Sequence, residues 1–273
     1  MRDIRQTKKY ASYLKRIGWN YKKIDSVQIF IKKIFGLINI AKIQRPEKIN
    51  KEIIKEIASQ KGINITIVEP KNKSQSEIIK KIGFKQTKPY LPSKTLILNL
   101  NRNIKEILNQ TKKDCRYSIK KTEKLKFIDC NNKDKIDKFQ KAWKKSVNLK
   151  RYVPLAKNLK ELKKAFGKNS LFLLHQKNKS ISGAIFLKTN KTAYYWQAFT
   201  NKKARKELVQ YQIVWQGIKW AKKNGCVYFD FEGIFDKRFP NKSWLGFTHF
   251  KKSFGGKEKK YPGAFIKISL NLF

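Results

Sequence analysis

The chain has 273 residues, 40% hydrophobic and 13% aromatic, enough for one large folded domain or two ordinary ones and too apolar for wholesale disorder. Its 65 Lys and Arg against 19 Asp and Glu leave a formal net charge of +46. That charge points to a polyanionic partner, although the bias to Lys, Asn and Ile also matches the imprint of AT-rich codons.

No stretch reaches the length of uncharged apolar sequence that a membrane span needs. The best run, 29–43, is broken by Lys32, Lys33 and Lys42. The N-terminus, MRDIRQTKKYASYLK, lacks the apolar core of a secretory signal, so a cytoplasmic protein is expected. Cys115, Cys130 and Cys226 are far apart and form no CxxC pair, which predicts reduced structural thiols. The two histidines, His175 and His249, cannot make a metal cluster, and His175, closing the run SLFLLH, is expected at the surface end of a strand.

In chain order, residues 10–17 predict an amphipathic helix, followed by Trp19 and a polar turn. Residues 27–33 and 38–44 predict a hairpin joined at Phe35-Gly36. Ile49, Ile53, Ile54 and Ile57 recur at helical spacing over 48–60, and Gly62 stops that helix. A strand over 63–68 closes at Glu69-Pro70, and a helix over 74–82 ends before Gly83. This order is that of an α/β unit. The stiff stretch Lys88-Pro89-Tyr90-Leu91-Pro92 is the best domain boundary, giving domains at 1–93 and 94–273.

The second unit reads as a strand over 95–100, helices over 103–110 and 112–124, a strand over 126–129, and helices over 135–147 and 159–166. Residues 170–176, 180–188 and 192–198 alternate like an antiparallel meander. One long helix over 205–223 follows, then strands over 226–231 and 264–270. Arg116 and Lys120 lie at helical spacing on the 112–124 helix, as a phosphate track or as a solvated face.

There is no GxxxxGK[ST] loop, no GxGxxG after a strand, no HExxH and no GxSxG, which removes most nucleotide hydrolases, dehydrogenases, zinc proteases and serine hydrolases. A meander followed by a long helix is the element order of an acetyltransferase-type core. Such cores bind pyrophosphate through glycine-rich backbone amides before that helix. Here the turn is FTNKKARKEL, without glycine, which disfavours coenzyme A and leaves Lys202, Lys203 and Arg205 to steer a bulkier anionic donor.

The stretch 228–256, YFDFEGIFDKRFPNKSWLGFTHFKKSFGG, is the most informative part of the chain. It sets Asp230 and Glu232 at a strand end, on one face if the strand continues, and Phe250 and Lys251 just ahead of Gly255-Gly256. Two glycines behind a lysine suggest a charge presented where another backbone or a ligand comes near.

The segments YYWQAF, IKWAKKNGCVYFDFEGI and GFTHFKKSFGG resemble the Fem family of peptidoglycan-bridge aminoacyltransferases, as do the opening DIRQTKKYASYLKRIGW and the block from Pro89. The resemblance implies an α/β fold of two acetyltransferase-like domains with mixed, mostly antiparallel sheets, the C-terminal strand (261–273) returning to the first. It implies transfer of an amino acid from aminoacyl-tRNA to the stem-peptide amine of a UDP-linked or lipid-linked muropeptide precursor, by a monomer without metal or organic cofactor. A lipid-linked acceptor would bring peripheral contact with the inner face of the membrane.

Mapped residue by residue, the resemblance makes Phe250 and Lys251 the catalytic pair, the lysine stabilising charge that develops on the aminoacyl ester. Lys252 is the adjacent alternative. Glu69 stands where the family tends to carry an Asp proposed to help deprotonate the acceptor amine. Lys15, Arg151 and Tyr195 fall near positions that contact the nucleotide-linked sugar and phosphates, with Leu155 in place of an expected tyrosine. Gly255 and Gly256 would let a large substrate approach, and Asp230 and Glu232 are read as scaffolding. Transfer to a protein N-terminus or another amine, and a non-catalytic basic RNA-binding protein, are the competing readings.

Overall fold

The computed structural model describes residues 2–147 and 151–269. These residues form two compact units, one of 2–94, 236–241 and 260–269, the other of 95–147, 151–235 and 242–259. The architecture is α/β, with one mixed, mostly antiparallel sheet in each unit.

In the first unit the strands are β1 (Asn20–Ile24), β2 (Val27–Ile34), β3 (Ile38–Gln44), β4 (Ile65–Glu69) and β5 (Lys85–Thr87). The C-terminal strand, β13 (Ala264–Ile268), lies between β4 and β5, so the order is β1-β2-β3-β4-β13-β5. Only β3 and β4 run parallel among these neighbours. Helix α1 (Lys8–Arg16) precedes the sheet. Helices α2 (Lys51–Ser59) and α3 (Lys73–Lys81) are capped by the Asn50 and Asn72 side chains, which accept from Glu52 and Gln75 backbone N–H groups. Their apolar faces, Ile53, Ile54, Ile57 and Ile79, join Ile29, Ile43, Val68 and Phe265 in one core.

The residues after Trp19, read from the sequence as a polar turn, form β1. This strand occupies the edge of the sheet and is exposed along nearly its whole length, so it carries no apolar alternation to reveal it. The segment 236–241 is held in the first unit by ionic hydrogen bonds. Asp236 accepts from Ser93 Oγ and Arg238 Nη2, both at 2.7 Å, and Arg238 Nη2 also donates to the carbonyls of Ser93 and Tyr261. Burial works to raise the Asp236 pKa, but the hydrogen bonds from Arg238 and Ser93 win and hold it below the usual carboxylate value.

The second sheet contains β6 (Lys94–Asn99), β7 (Ile128–Asp129), β8 (Ser170–Lys177), β9 (Ser180–Thr189), β10 (Thr192–Thr200), β11 (Tyr228–Asp230) and β12 (Lys257–Lys260), in the order β12-β6-β11-β10-β9-β8-β7. Helices α4 (Ile104–Asn109), α5 (Lys113–Lys121), α6 (Lys133–Ser146) and α7 (Ala156–Phe166) precede the β8-β9-β10 meander. The long helix expected over 205–223 is two helices, α8 (Lys202–Lys206) and α9 (Val209–Lys223). Leu208 separates them in a left-handed conformation at φ 59°. Its apolar neighbours α9, α5 and the sheet share one core, and Gly217 leaves room on α9 for the Phe186 ring of β9. A further helix, α10 (Leu245–Lys252), carries the Phe-Lys pair.

Candidate active site

The site of the second unit begins where β10 and β11 stop pairing. Their parallel register runs Thr192 with Tyr228, Ala193 with Phe229 and Tyr194 with Asp230, and ends there. Just beyond, β10 has a bulge between Tyr195 and Gln197 against β9. The chain after β11 leaves strand geometry at once, with Glu232 at φ 50° and Gly233 at φ 114°. The side chains of Asp230 and Glu232 therefore do not follow the strand alternation that would have put them on one face.

Asp230 holds this departure. It is 2% exposed, and its Oδ1 accepts from Thr95 Oγ1 at 2.5 Å and from the Glu232 N–H at 2.9 Å. The turn presents the carbonyls of Phe231 and Gly233 on the same side. Helix α10 docks onto them by its two buried residues, Thr248 and Lys251, one turn apart. Thr248 Oγ1 accepts from the Phe235 N–H at 2.7 Å, and Lys251 Nζ donates to Phe231 O at 2.6 Å and to Gly233 O at 2.7 Å.

Lys251 is 8% exposed and is flanked by rings, its Nζ lying 5.5 Å from the centre of Tyr195 and 5.0 Å from that of Phe247. Burial pulls its pKa down to about 8, with Glu232 and Asp230 opposing the shift. An ammonium has three donors, and two are taken up by carbonyls, leaving one for an incoming oxygen. Lys252 points elsewhere and pairs with Glu258 at 2.8 Å.

Phe250 belongs to an aromatic cluster on the other side of α10. Its ring meets Tyr211 edge-on at 4.8 Å and Phe254 at 5.4 Å, and Phe254 packs on Phe231 at 5.7 Å. Tyr195 sits in the β10 bulge with its ring buried, and its hydroxyl accepts from Gln210 Nε2 at 2.5 Å. Ser182 Oγ donates to the Oε1 of the same Gln210 at 2.5 Å, so the phenol ends a chain reaching into the core. Burial pushes the Tyr195 pKa far up, and the phenol stays protonated at neutral pH.

Gly255 and Gly256 form the exit from α10 at φ 83° and 98°. A Cβ on Gly256 would stand 2.9 Å from the Ile97 carbonyl oxygen. The close approach that the sequence suggested is thus made by the chain's own β6 backbone.

The remaining residues singled out in the sequence are distributed more widely. Arg116 Nη1 donates to the Asn109 and Thr111 carbonyls, closing the end of α4, while Lys120 is exposed on α5. Lys203 donates to Asn178 O at 2.7 Å and Arg205 to Thr200 O at 2.9 Å, and Lys202 is exposed beside them. Arg151 is exposed. His175, expected at a surface, is 4% exposed, and its Nδ1 lies 3.3 Å from Lys126 O.

Lys15 and Glu69 belong to the first unit. Lys15 is exposed in the last turn of α1. Glu69 is 3% exposed and fully engaged, its Oε1 accepting from the Tyr90 and Leu91 N–H groups at 3.1 and 2.7 Å, and its Oε2 from Gln44 Nε2 at 3.2 Å. That is the arrangement of a clamp on the 88–92 connector. Lys42 stands near this carboxylate, over the rings of Trp19 and Tyr90 at 5.1 and 5.5 Å. Burial lowers its pKa, Glu69 opposing.

Sequence reading missed Thr248 and the carbonyls of Phe231 and Gly233. A threonine three residues before the lysine is a signal that the sequence does carry. Backbone acceptors have none.

The second unit thus brings together a parallel strand pair that stops, a bulge beside it and a buried cation at the split, on a fold of the acetyltransferase type. Among solved structures the chain is similar to FemX (TM-score 0.78, 16% identity, 98% of this chain and 92% of that one). It is also similar to a C-terminal domain of a putative lysylphosphatidylglycerol synthetase from Agrobacterium fabrum (TM-score 0.64, 13% identity, 97% and 88%). A tandem GNAT protein from the clavulanic acid biosynthesis pathway matches at TM-score 0.54 and 6% identity, over 89% and 78%. These likenesses show the fold. Curated protein sequences give no match. The sequence matches the FemAB family over residues 130–272, more than half of the chain, and the protein belongs to that family.

Among the described residues no helix is long and apolar enough to cross a membrane, and no group of three or more His, Cys, Asp or Glu could hold a metal ion.

Proposed function

We propose that the protein transfers an amino acid from aminoacyl-tRNA to the amine of a peptidoglycan-precursor stem peptide, with Lys251 at the reacting ester. The observation that carries this reading is the buried ammonium held on two carbonyls with one donor left over. Attack of an amine on an ester puts negative charge on the carbonyl oxygen. A fixed donor in a water-poor pocket stabilises that charge without having to reorganise. The two carbonyls keep Nζ in place, and the Tyr195 and Phe247 rings shield it from solvent. Phe250 anchors α10 through its ring contacts with Tyr211 and Phe254.

A second role for the same nitrogen follows from its pKa of about 8. As a neutral amine, Lys251 still has two donors for the two carbonyls and then offers a lone pair, which suits it to take the proton from the attacking amine. The first role needs the charged form and the second the neutral one, so the two predict opposite pH limbs. Glu69, whose oxygens are engaged by three donors, serves on this reading to position the connector rather than to remove a proton.

The net charge of +46, with exposed Lys120 and Lys202, supports a polyanionic donor such as tRNA. The acceptor is a UDP-linked or lipid-linked muropeptide. The test is incubation of the purified protein with a labelled aminoacyl-tRNA pool and both precursor types, scored by mass spectrometry. One residue added to a stem peptide supports the proposal. Binding of tRNA with no amine acceptor ever labelled would favour a binding module instead, and labelling of a protein amine would redirect the substrate.

A further inference from the structure

The turn between β2 and β3 is built against the usual preferences. Leu37 N–H donates to Ile34 O at 3.2 Å, closing a turn whose central residues, Phe35 and Gly36, both have positive φ, 50° and 69°. Such a turn favours Asn or Asp at its first central position, and a bulky aromatic there is strained. Phe35 is nevertheless 91% exposed and Leu37 81% exposed, the two most exposed large hydrophobic side chains of the described residues. Strain and exposure together are the opposite of what core packing selects.

The same end of the sheet is apolar beyond the turn. Register places Ile40 opposite Ile65 and Ile65 opposite Ile268, and Ile38 lies two residues from Ile40 on the same face. Ile268 is 66% exposed and Ile38 40%. Along the hairpin the charge has one sign. Residues 26–46 contain no Asp or Glu. Exposed Lys33 pairs opposite Asn39, whose amide donates to the Gly62 carbonyl at 2.7 Å, beside exposed Lys61.

We propose that the β2-β3 turn is a membrane wedge: Phe35 and Leu37 enter the headgroup layer of an anionic bilayer while Lys33 and Lys61 meet its phosphates. Apolar area and basic residues contribute together at such a surface, and neither suffices alone. A neutral apolar partner would not account for the lysines, nor a soluble polyanion for the exposed Phe35 and Leu37. This inference is independent of the acyl-transfer reading and needs no substrate to test.

The experiment is co-sedimentation of the full chain with phosphatidylglycerol-containing vesicles and with pure phosphatidylcholine vesicles, for wild type, a Phe35→Asn/Leu37→Ser variant and a Lys33→Glu/Lys61→Glu variant. Asn suits the turn, so the first variant should melt at or above the wild-type temperature. Partition onto anionic vesicles should fall at least about 10-fold in each variant, and wild type should bind neutral vesicles at least about 10-fold less well. Unchanged partition of the Phe35→Asn/Leu37→Ser variant overturns the wedge, leaving electrostatic adsorption alone. Equal binding of wild type to both vesicle types overturns it too. So does a wild-type dimer in sedimentation that this variant makes monomeric without loss of vesicle binding, since the two apolar side chains would then be a contact between copies.

Discussion

The Nζ of Lys251 lies 2.7 Å from the carbonyl oxygen of Gly233, a residue that the chain holds at φ 114° immediately after a left-handed Glu232. The unusual turn and the buried lysine therefore depend on each other. Without the turn the carbonyls would face sideways across the sheet rather than toward α10, and without the lysine two buried acceptors would lack a partner. Substitution of Lys251 by Met removes a buried charge and at the same time orphans those acceptors, effects of opposite sign and each about 1–3 kcal/mol. The melting temperature should move by only a few degrees while transfer falls by about 10²-fold or more. Unaltered transfer in Lys251→Met would sink the assigned role.

The pH dependence separates the two roles of the lysine. If the charged form works, kcat/KM declines as pH rises through about 8; if the neutral form works, it climbs to a plateau through the same point. Stability follows its own sign. The folded pKa lies below the unfolded value of 10.5, so between about 8 and 10.5 the unfolded chain binds more protons and folding gains as pH rises. The full cost of about 3 kcal/mol is present below pH 8 and disappears toward 10.5. Denaturant melts of wild type and Lys251→Met, run from pH 7 to 10.5, should differ by that slope, the wild type gaining stability relative to the variant as pH rises.

Thr248→Val tests the other anchor of α10. It keeps the shape and removes the acceptor of the Phe235 N–H, which costs about 1–2 kcal/mol and loosens the 231–235 turn. Transfer should drop several-fold, with kcat falling more than KM rises, and Thr248→Ser should restore both. A variant that loses stability while keeping its full kcat would separate the turn from the chemistry.

How much of this could be read in the sequence depended on what each element shows to water. The β2-β3 hairpin was legible because Phe35-Gly36 interrupts two runs of β-branched residues. Strand β1 was not, since an exposed edge strand such as NYKKI has no buried face to pattern. Helix α10 buries only Thr248 and Lys251, a polar pair that no hydrophobic periodicity marks, and the break before α9 rests on a leucine in a left-handed conformation, which composition does not announce. Lys251 stood out by its motif. Its geometry could not, because both of its partners are main-chain carbonyls of a turn fixed by Asp230 from within the core.

Glu69→Gln distinguishes a clamp from a base. The amide keeps an oxygen for the Tyr90 and Leu91 N–H groups, so the connector stays seated and most of the transfer activity should survive, with a stability loss of about 1 kcal/mol or less. Glu69→Ala leaves those donors and the Gln44 amide without their acceptor and should cost about 2–3 kcal/mol. Loss of transfer in Glu69→Gln at unchanged melting temperature would restore the carboxylate to the chemistry.

Gly256→Ala places a methyl group 2.9 Å from the Ile97 carbonyl oxygen, at a φ of 98° that side chains rarely adopt. Both obstacles are backbone, so neither yields by a rotamer change. The substitution should cost about 2–4 kcal/mol, seen as a lower denaturation midpoint at constant m-value. Gly255→Ala meets only Gln110 O, at 3.6 Å, and carries the φ penalty alone, so its loss should be nearer 1 kcal/mol. The ordering of the two is the informative result. If Gly255→Ala is the more damaging to transfer while remaining the more stable protein, the glycine pair matters for substrate approach as well as for seating β12 against β6.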